Sequence, residues 1–279
     1  MSAVGTLYVV ATPIGNLQDI TLRALEILKS AHIVAAEDTR NTSHLLGHFG
    51  ISARLMALHE HNEQLAAPKV IAALQAGKTV ALVSDAGTPG VSDPGSLLVR
   101  TVRAAGLPVV PLPGPSAVVC ALSAAGLDAP HFLFYGFLPS RPASRRKALA
   151  ALQALPYTLA FYEAPHRIVE TVDDLLAVLG GAREIVLARE LTKVFESIHG
   201  CKLADAPAWL AGDPNRQRGE FVLLVAGAPP AEKEEIGAEA QRILSLLVAE
   251  LPLKQAVKLA AEISGEKKNA LYDLALQLK

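Results

Sequence analysis

Short aliphatic runs alternate, along the first half of the chain, with stretches in which apolar residues recur every three or four positions. Leu7, Tyr8, Val9 and Val10 read as a buried strand that ends in the turn Thr12-Pro13-Ile14-Gly15-Asn16. The spacing of Leu22, Leu25 and Leu28 predicts a helix behind it, with Asp19 as its N-cap. The same alternation predicts strands over 33–36, 55–58, 79–83 and 108–112, and helices over 42–49, 68–75 and 96–105. Single helices between strands are crossover connections, so these strands are expected to pair in parallel within an open α/β sheet.

The proline-rich turn Leu112-Pro113-Gly114-Pro115-Ser116 marks a boundary. Beyond it the pattern predicts helices over 116–125, 144–154, 166–179 and 203–211, with strands over 132–137, 157–162, 184–188, 194–199 and 221–225. These make a second α/β unit. Gly227-Ala228-Pro229-Pro230 and the acidic stretch 232–235 read as a linker. Three helices follow, over 238–251, 252–263 and 268–278, with Ser264-Gly265 at a turn, an order that resembles a helix-turn-helix and equally fits a small helical cap that docks a partner or supports a dimer. The expected domains are therefore 1–112, 113–228 and a helical module over 229–279.

Composition narrows the class. With 279 residues, 51% of them hydrophobic, the chain can bury a full core, which excludes global disorder. Lys and Arg number 26 against 27 Asp and Glu, so there is no overall basic field. Any nucleic-acid contact must then be a local patch, and no DNA partner is expected. Cys120 and Cys201 are too few for a disulfide framework and suit a reducing cytosol. The long uncharged stretch 104–127 holds Pro108, Pro111, Pro113 and Pro115, which break a spanning helix, and no basic residue precedes Arg23. A cytoplasmic chain with no membrane partner is the expectation.

The richest chemistry sits in Val83-Ser84-Asp85-Ala86-Gly87-Thr88-Pro89-Gly90-Val91-Ser92-Asp93-Pro94-Gly95, which leaves the carboxyl end of a strong strand. Open α/β sheets place ligands there. The glycines permit close backbone approach, and Asp85, Thr88 and Asp93 supply hydrogen-bonding groups. The spacing matches neither phosphate-binding glycine motif, and two acidic residues favour a polar or cationic ligand. The Thr12–Asn16 turn and Pro113-Gly114-Pro115-Ser116-Ala117 occupy equivalent strand ends, so the three loops are expected to line one crevice. Between Asp128 and Glu163 no acidic residue occurs, yet Arg141, Arg145, Arg146 and Lys147 cluster; this reads as an RNA contact, extended by Arg40 and Arg167. His59 and His61 would share a strand face, but no third ligand stands nearby, so no metal is expected.

Several motifs, taken in order, resemble one family. They are residues 7–17, Ala36-Glu37-Asp38-Thr39-Arg40, Leu58-His59-Glu60-His61-Asn62-Glu63, residues 84–95, Phe161-Tyr162-Glu163-Ala164-Pro165-His166-Arg167 and Arg189-Glu190-Leu191-Thr192-Lys193. Together they are similar to the ribosomal RNA small subunit methyltransferase I group of the tetrapyrrole methylase superfamily, from about residue 5 to residue 225. The helical tail resembles that group's C-terminal module. The resemblance implies two α/β domains with a cleft between them, a homodimer, and S-adenosyl-L-methionine bound in the cleft. It also implies 2′-O-methylation of a cytidine ribose at the decoding centre of 16S rRNA, presented as free RNA or as the small ribosomal subunit.

Carried over by position, the cofactor residues would be Pro13, Asp85, Ala86, Gly87, Thr88, Gly90, Asp93, Ser116, Ala117, Phe161 and Tyr162. Lys193, Glu190, His166 and Asp38 are the candidate general bases; Lys193 would need a lowered pKa, which burial beside Arg189 is expected to produce. Three other readings remain open at this stage. Two are relatives of the same fold, a corrin-precursor methyltransferase and a diphthamide-pathway methyltransferase. The third is a non-catalytic RNA-binding protein of ribosome assembly.

Overall fold

A computed structural model describes residues 4–127, 131–229 and 236–278; Asp128 and residues 230–235 of the expected linker lie outside them. Two compact units are present, Met1–Gly227 and Ala228–Lys279.

The first unit is built on two five-stranded sheets. One contains β1 (Leu7–Val10), β2 (Ile33–Ala36), β3 (Leu55–Ala57), β4 (Val80–Val83) and β5 (Val109–Leu112), ordered β3-β2-β4-β1-β5 with every pairing parallel. Helices α1 (Leu22–Ser30) and α2 (Thr39–His48) cover one face, and α3 (Glu63–Gln75) and α4 (Ser96–Ala104) cover the other. Leu7, Ala35, Val80 and Leu82 pack toward Val70, Leu74, Leu98 and Val102, while Val10, Val34, Ala36, Ala81 and Val83 pack toward Ala24, Leu28 and Leu46. A sheet buried on both faces needs uninterrupted apolar strands, which is why these runs stood out in the sequence.

Two local expectations are corrected. Thr21, not Asp19, caps α1: its hydroxyl accepts from the Ala24 N–H at 3.1 Å, while Asp19 ends a separate 3-10 turn over Leu17–Asp19, two residues short of the cap position. Helix α3 begins at Glu63, well before Pro68. The buried Glu63 Oε1 accepts from the Leu98 N–H at 2.8 Å, so this extra turn satisfies an orphan donor at the start of α4.

The second sheet contains β6 (Phe132–Phe137), β7 (Thr158–Glu163), β8 (Glu184–Arg189), β9 (Ser197–Lys202) and β10 (Phe221–Val225), ordered β6-β7-β10-β8-β9. Only β6 and β7 pair in parallel; β10 runs antiparallel to β7 and β8, and β8 to β9. The turn over 190–196 displaces β9 three residues beyond its expected start. Helices α6 (Pro142–Leu152), α7 (Ile168–Leu179) and α8 (Ala206–Ala211) bury one face, through Leu149, Val172, Leu175 and Leu210. On the other face Val118 and Ala121 of the eight-residue α5 (Ala117–Ala124) pack against Ala160, Val186 and Leu224. So short a helix leaves part of that face uncovered, and the uncovered part becomes a wall of the site below.

The second unit holds α9 (Ala238–Glu250), α10 (Leu253–Ser264) and α11 (Lys268–Gln277) around Leu244, Val257, Ala260, Leu271 and Ala275. Gly265 ends α10 with φ +74° and returns its N–H to the Ala261 carbonyl, the left-handed stop that glycine permits. Among the described residues, no helix is long and apolar enough to cross a membrane.

Candidate functional site

Strand β1 lies between β4 and β5, so the loops leaving the carboxyl ends of three adjacent parallel strands are neighbours. They are stitched together. The Thr12 N–H donates to the Gly87 carbonyl at 2.9 Å, and the Gly87 N–H returns a bond to the Thr12 carbonyl at 3.0 Å. The Thr12 hydroxyl donates to the Ser84 carbonyl at 3.1 Å, and the Thr88 hydroxyl to the Pro115 carbonyl at 3.0 Å. Above these loops stands the open face of the second sheet. The space between is a cleft of about 290 Å³, near the lower end of the usual range for small-molecule sites.

Of the sequence-expected cofactor residues, Ala86, Gly87, Thr88, Asp93, Ser116, Ala117 and Tyr162 line this cleft. Four do not. Pro13 and Asp85 face a second pocket with Asn41, His44 and His48, on the far side of the Thr12–Gly87 bonds. Gly90 is solvent-exposed and outside the lining. Phe161 is fully buried among Leu149, Val172 and Leu223, because alternation along β7 sends Phe161 into the core and its neighbour Tyr162 toward the cleft. Asp85 is held internally: one carboxylate oxygen accepts from the Asp38 N–H at 3.0 Å, the other from Asn41 Nδ2 at 2.9 Å.

The wall contributed by the second sheet includes Glu190, Lys193 and Glu220. Lys193 Nζ sits 2.8 Å from Glu190 Oε1 and 2.7 Å from Glu220 Oε2. Burial would push its pKa down, but the hydrogen bonds and charges of the two carboxylates outweigh burial and raise it. The expected lowering is thus corrected: the two carboxylates favour the ammonium form of Lys193. Burial likewise works to raise Glu190, but Lys193 and the Glu220 N–H win and lower it, so Glu190 is a weak base engaged in holding its neighbours. The exposed His166 and the surface ion pair of Asp38 lie outside the cleft lining.

Among the described residues, the non-glycine residues with positive φ are Ser92 at +64°, Glu190 at +51° and Thr192 at +67°. Ser92 and Glu190 line the cleft, and Thr192 stands between Leu191 and Lys193, which also line it. Such conformations cost about 1–3 kcal/mol each and persist where surrounding bonds over-determine them. Here the Glu190 N–H donates to the Glu220 carbonyl at 2.9 Å, and the Thr192 N–H to Glu196 Oε2 at 2.6 Å.

Asp93 differs from these paired groups. Burial is the main cause that lifts its carboxyl to about 6; the nearby Glu37 and Asp85 charges add to this, against a Ser84 hydrogen bond. A half-buried carboxylate facing like charges is relieved by a cation. Phe137, Ser92 and Glu220 also line the cleft and were not among the sequence candidates. The positive-φ Gly136 beside Phe137 marks a bulge in β6, a signal that apolar periodicity alone passes over.

The basic cluster divides. Arg145 is 1% exposed: its Nε lies 2.6 Å from Asp174 Oδ2 and its Nη2 3.3 Å from Glu170 Oε2. Arg167 is turned inward, with Nη2 donating to the Leu138 carbonyl at 2.7 Å and pairing with Glu163 at 3.3 Å. Neither is an RNA contact, because each satisfies buried acceptors. Arg146 is outward but paired to Asp174 at 2.8 Å, and Arg40 outward but paired to Asp38 at 2.7 Å. Arg141 and Lys147 are exposed. Among the described residues no group of three His, Cys, Asp or Glu is arranged to hold a metal ion.

The family described as Tetrapyrrole (Corrin/Porphyrin) Methylases matches residues 6–207, and the chain belongs to it. The crystal structure of the methyltransferase CobJ has a similar fold, with a TM-score of 0.60 at 22% identity over 80% of this chain and 95% of that one. Uroporphyrin-III C-methyl transferase from Thermus thermophilus, complexed with S-adenyl homocysteine, gives 0.56 at 19% identity over 80% of this chain and 97% of that one. Within the family, the chain is a member of the ribosomal RNA small subunit methyltransferase I group. The protein of that name from Escherichia coli O157:H7 is 58% identical over 273 residues, 98% of this chain and 95% of its own. The RsmI C-terminal HTH domain matches residues 234–279.

The buried network yields a stability test. Arg145→Ala removes one of the two arginines that hold the buried Asp174 and empties a fully buried site, and is expected to lower the unfolding free energy by about 2–4 kcal/mol. Arg141→Ala, at an exposed position, stays within about 0.5 kcal/mol of the parent. Urea denaturation of both variants checks this, and equal small losses would contradict the internal role of Arg145.

Proposed function

We propose that the chain binds S-adenosyl-L-methionine in the cleft and methylates the 2′-oxygen of a cytidine ribose in the decoding region of 16S rRNA. The observation that carries this reading is the cleft itself, with Asp93 unneutralised on one wall and the ring of Tyr162 on the other, in a chain similar over nearly its whole length to proteins named ribosomal RNA small subunit methyltransferase I. The donor set fits the cofactor. Its sulfonium and ammonium charges suit the Asp93 carboxylate, and its adenine suits the apolar wall of Tyr162, Ala188 and Val222.

The bound cofactor supplies an activated methyl group. The residues of the chain then have to bind, align and exclude water. The strained, hydrogen-bonded segment 190–193 gives one rigid wall, and the stitched loops give the other, which is the preorganisation that an in-line displacement needs. Lys193 remains protonated and serves as a positive fixture beside Glu190 and Glu220. This reading also includes a cytoplasmic location and a homodimer. Val194 and Phe195, largely exposed at the turn after Lys193, support the dimer, and sedimentation equilibrium is expected to give the mass of two chains.

The activity test is transfer of labelled methyl from S-adenosyl-L-methionine to purified small ribosomal subunits unmethylated at the target. One ribose 2′-oxygen in the decoding region is expected to carry the label. Cofactor binding without any RNA label would favour the corrin-precursor or protein-substrate chemistry of the same fold.

A pH dependence follows from Asp93. Its carboxyl is raised, so it is charged above about pH 6 and neutral below. Affinity for the cationic cofactor, measured calorimetrically, is expected to be level above pH 7 and to weaken as pH falls through 6. Asp93→Asn should abolish that slope and weaken binding at pH 7.5 by roughly tenfold, the scale of one charge-assisted hydrogen bond. An unchanged slope in the variant would remove Asp93 from cofactor binding.

A further inference from the structure

Strand β6 breaks its own alternation. A register shift lies between Phe134 and Gly136, and Gly136 has φ +81°. In a regular strand Phe137 would share a face with Tyr135, whose ring lies 6.0 Å from the core residue Phe161. The bulge instead brings Phe134 and Phe137 together onto Tyr162, with ring centroids 4.8 and 5.7 Å away, each edge-on. Phe137 thereby lines the cleft while remaining 52% exposed. A large aromatic ring that packs by one edge on Tyr162 yet leaves half its surface in water beside the cleft has a further apolar surface to offer a ligand.

The ring is presented on a rigid mount. Arg167 Nη2 donates to the carbonyls of Leu138 at 2.7 Å and Pro139 at 3.4 Å, and Arg145 Nη1 reaches the Ser140 carbonyl at 3.4 Å. Two buried or half-buried guanidinium groups thus pin the segment that follows Phe137. Gly136 allows close approach to the opposite lip, since a Cβ there would meet Ser92 Oγ at 2.7 Å. Directly downstream, Arg141 and Lys147 are exposed and unburdened by acidic neighbours in sequence. An exposed aromatic beside exposed cations is the arrangement by which proteins hold an unstacked base and its phosphates.

We propose that Phe137 is the platform on which the base of the target nucleotide stacks while its ribose enters the cleft. This rests on the RNA methyltransferase reading above. Tyr162 lies beneath Phe137 and less exposed, so the inner ring faces the cofactor and the outer one the RNA. The clamp formed by Arg145 and Arg167 acts by positioning the platform.

The test compares wild type, Phe137→Ala, Phe137→Leu and Phe137→Trp in two measurements: calorimetric affinity for S-adenosyl-L-methionine, and steady-state methyl transfer to unmethylated small subunits. The Ala and Leu variants are expected to lose about ten- to hundredfold in kcat/KM for the subunit, the worth of one stacked base, with cofactor affinity within about twofold. The Trp variant should keep activity within about threefold, since any aromatic face stacks. Cofactor affinity that falls in step with transfer would make Phe137 a cofactor wall and overturn the proposal. So would a Leu variant as active as wild type, which would make the ring a simple apolar plug. A wild-type protein that binds cofactor yet labels no subunit would overturn the parent reading itself. An active wild type with insensitive variants would overturn only the stacking role.

Discussion

The site depends on the position of β1 at the centre of an all-parallel neighbourhood. Because β4 and β5 flank it in the same direction, three loops emerge side by side, and the reciprocal Thr12–Gly87 bonds weld two of them into one ridge. That ridge divides the carboxyl edge of the sheet. One slope, with Ala86–Thr88 and Val91–Asp93, belongs to the cleft between the sheets; the other, with Pro13 and Asp85, belongs to a separate pocket. The bond from Thr88 to the Pro115 carbonyl ties the ridge to the start of the second sheet's half, so the floor of the cleft and its far wall share one anchor. A single antiparallel strand at β1 would send its loop to the opposite edge and leave no cleft.

The electrostatics of the cleft favour a cation inside and an anion outside. Glu190 and Glu220 between them neutralise Lys193 and leave a surplus negative charge, and Asp93 opposite is destabilised as an anion by burial and by Glu37 and Asp85. A phosphodiester would be repelled from this interior, whereas a sulfonium would be drawn in. The exposed cations, Arg141 and Lys147, lie instead on α6 and its cap. On the proposed function, an RNA backbone held there lowers one sugar into the acidic cleft without burying its phosphates.

The buried arginines connect these two regions. Arg145 is among the largest fully buried side chains, and its charge is matched by Asp174 and Glu170 while Nη1 reaches the Ser140 carbonyl. Arg167 bridges Glu163, at the end of β7, to the Leu138 carbonyl. Each residue gives one guanidinium nitrogen to carbonyls of the segment between β6 and α6 and so helps to fix it. The strain at Ser92, Glu190 and Thr192 has the same character: geometry near the cleft is held by bonds rather than by local preference.

Much of this was legible in the residues themselves. Short aliphatic runs and the 3.6-residue apolar period place nearly every strand and helix, since burial of a strand or of a helix stripe is a local demand that local sequence must meet. The loop 84–95 announces itself through glycines and carboxylates at a strand end. What the chain alone does not reveal is direction. Arg145 and Arg146 are adjacent in a basic run, yet the turn of α6 buries the first and exposes the second. Phe161 and Tyr162 are adjacent aromatics, yet the pleat sends one to the core and one to the cleft. Lys193 is held charged by its near neighbour Glu190 and also by Glu220, twenty-seven residues away in sequence and 2.7 Å away in space. Sequence determined which segments fold and which carry chemistry, because those follow from short-range periodicity and composition. Tertiary structure decided which side chains meet, because pairing, burial and charge compensation are set by distances that close only when the two sheets face each other.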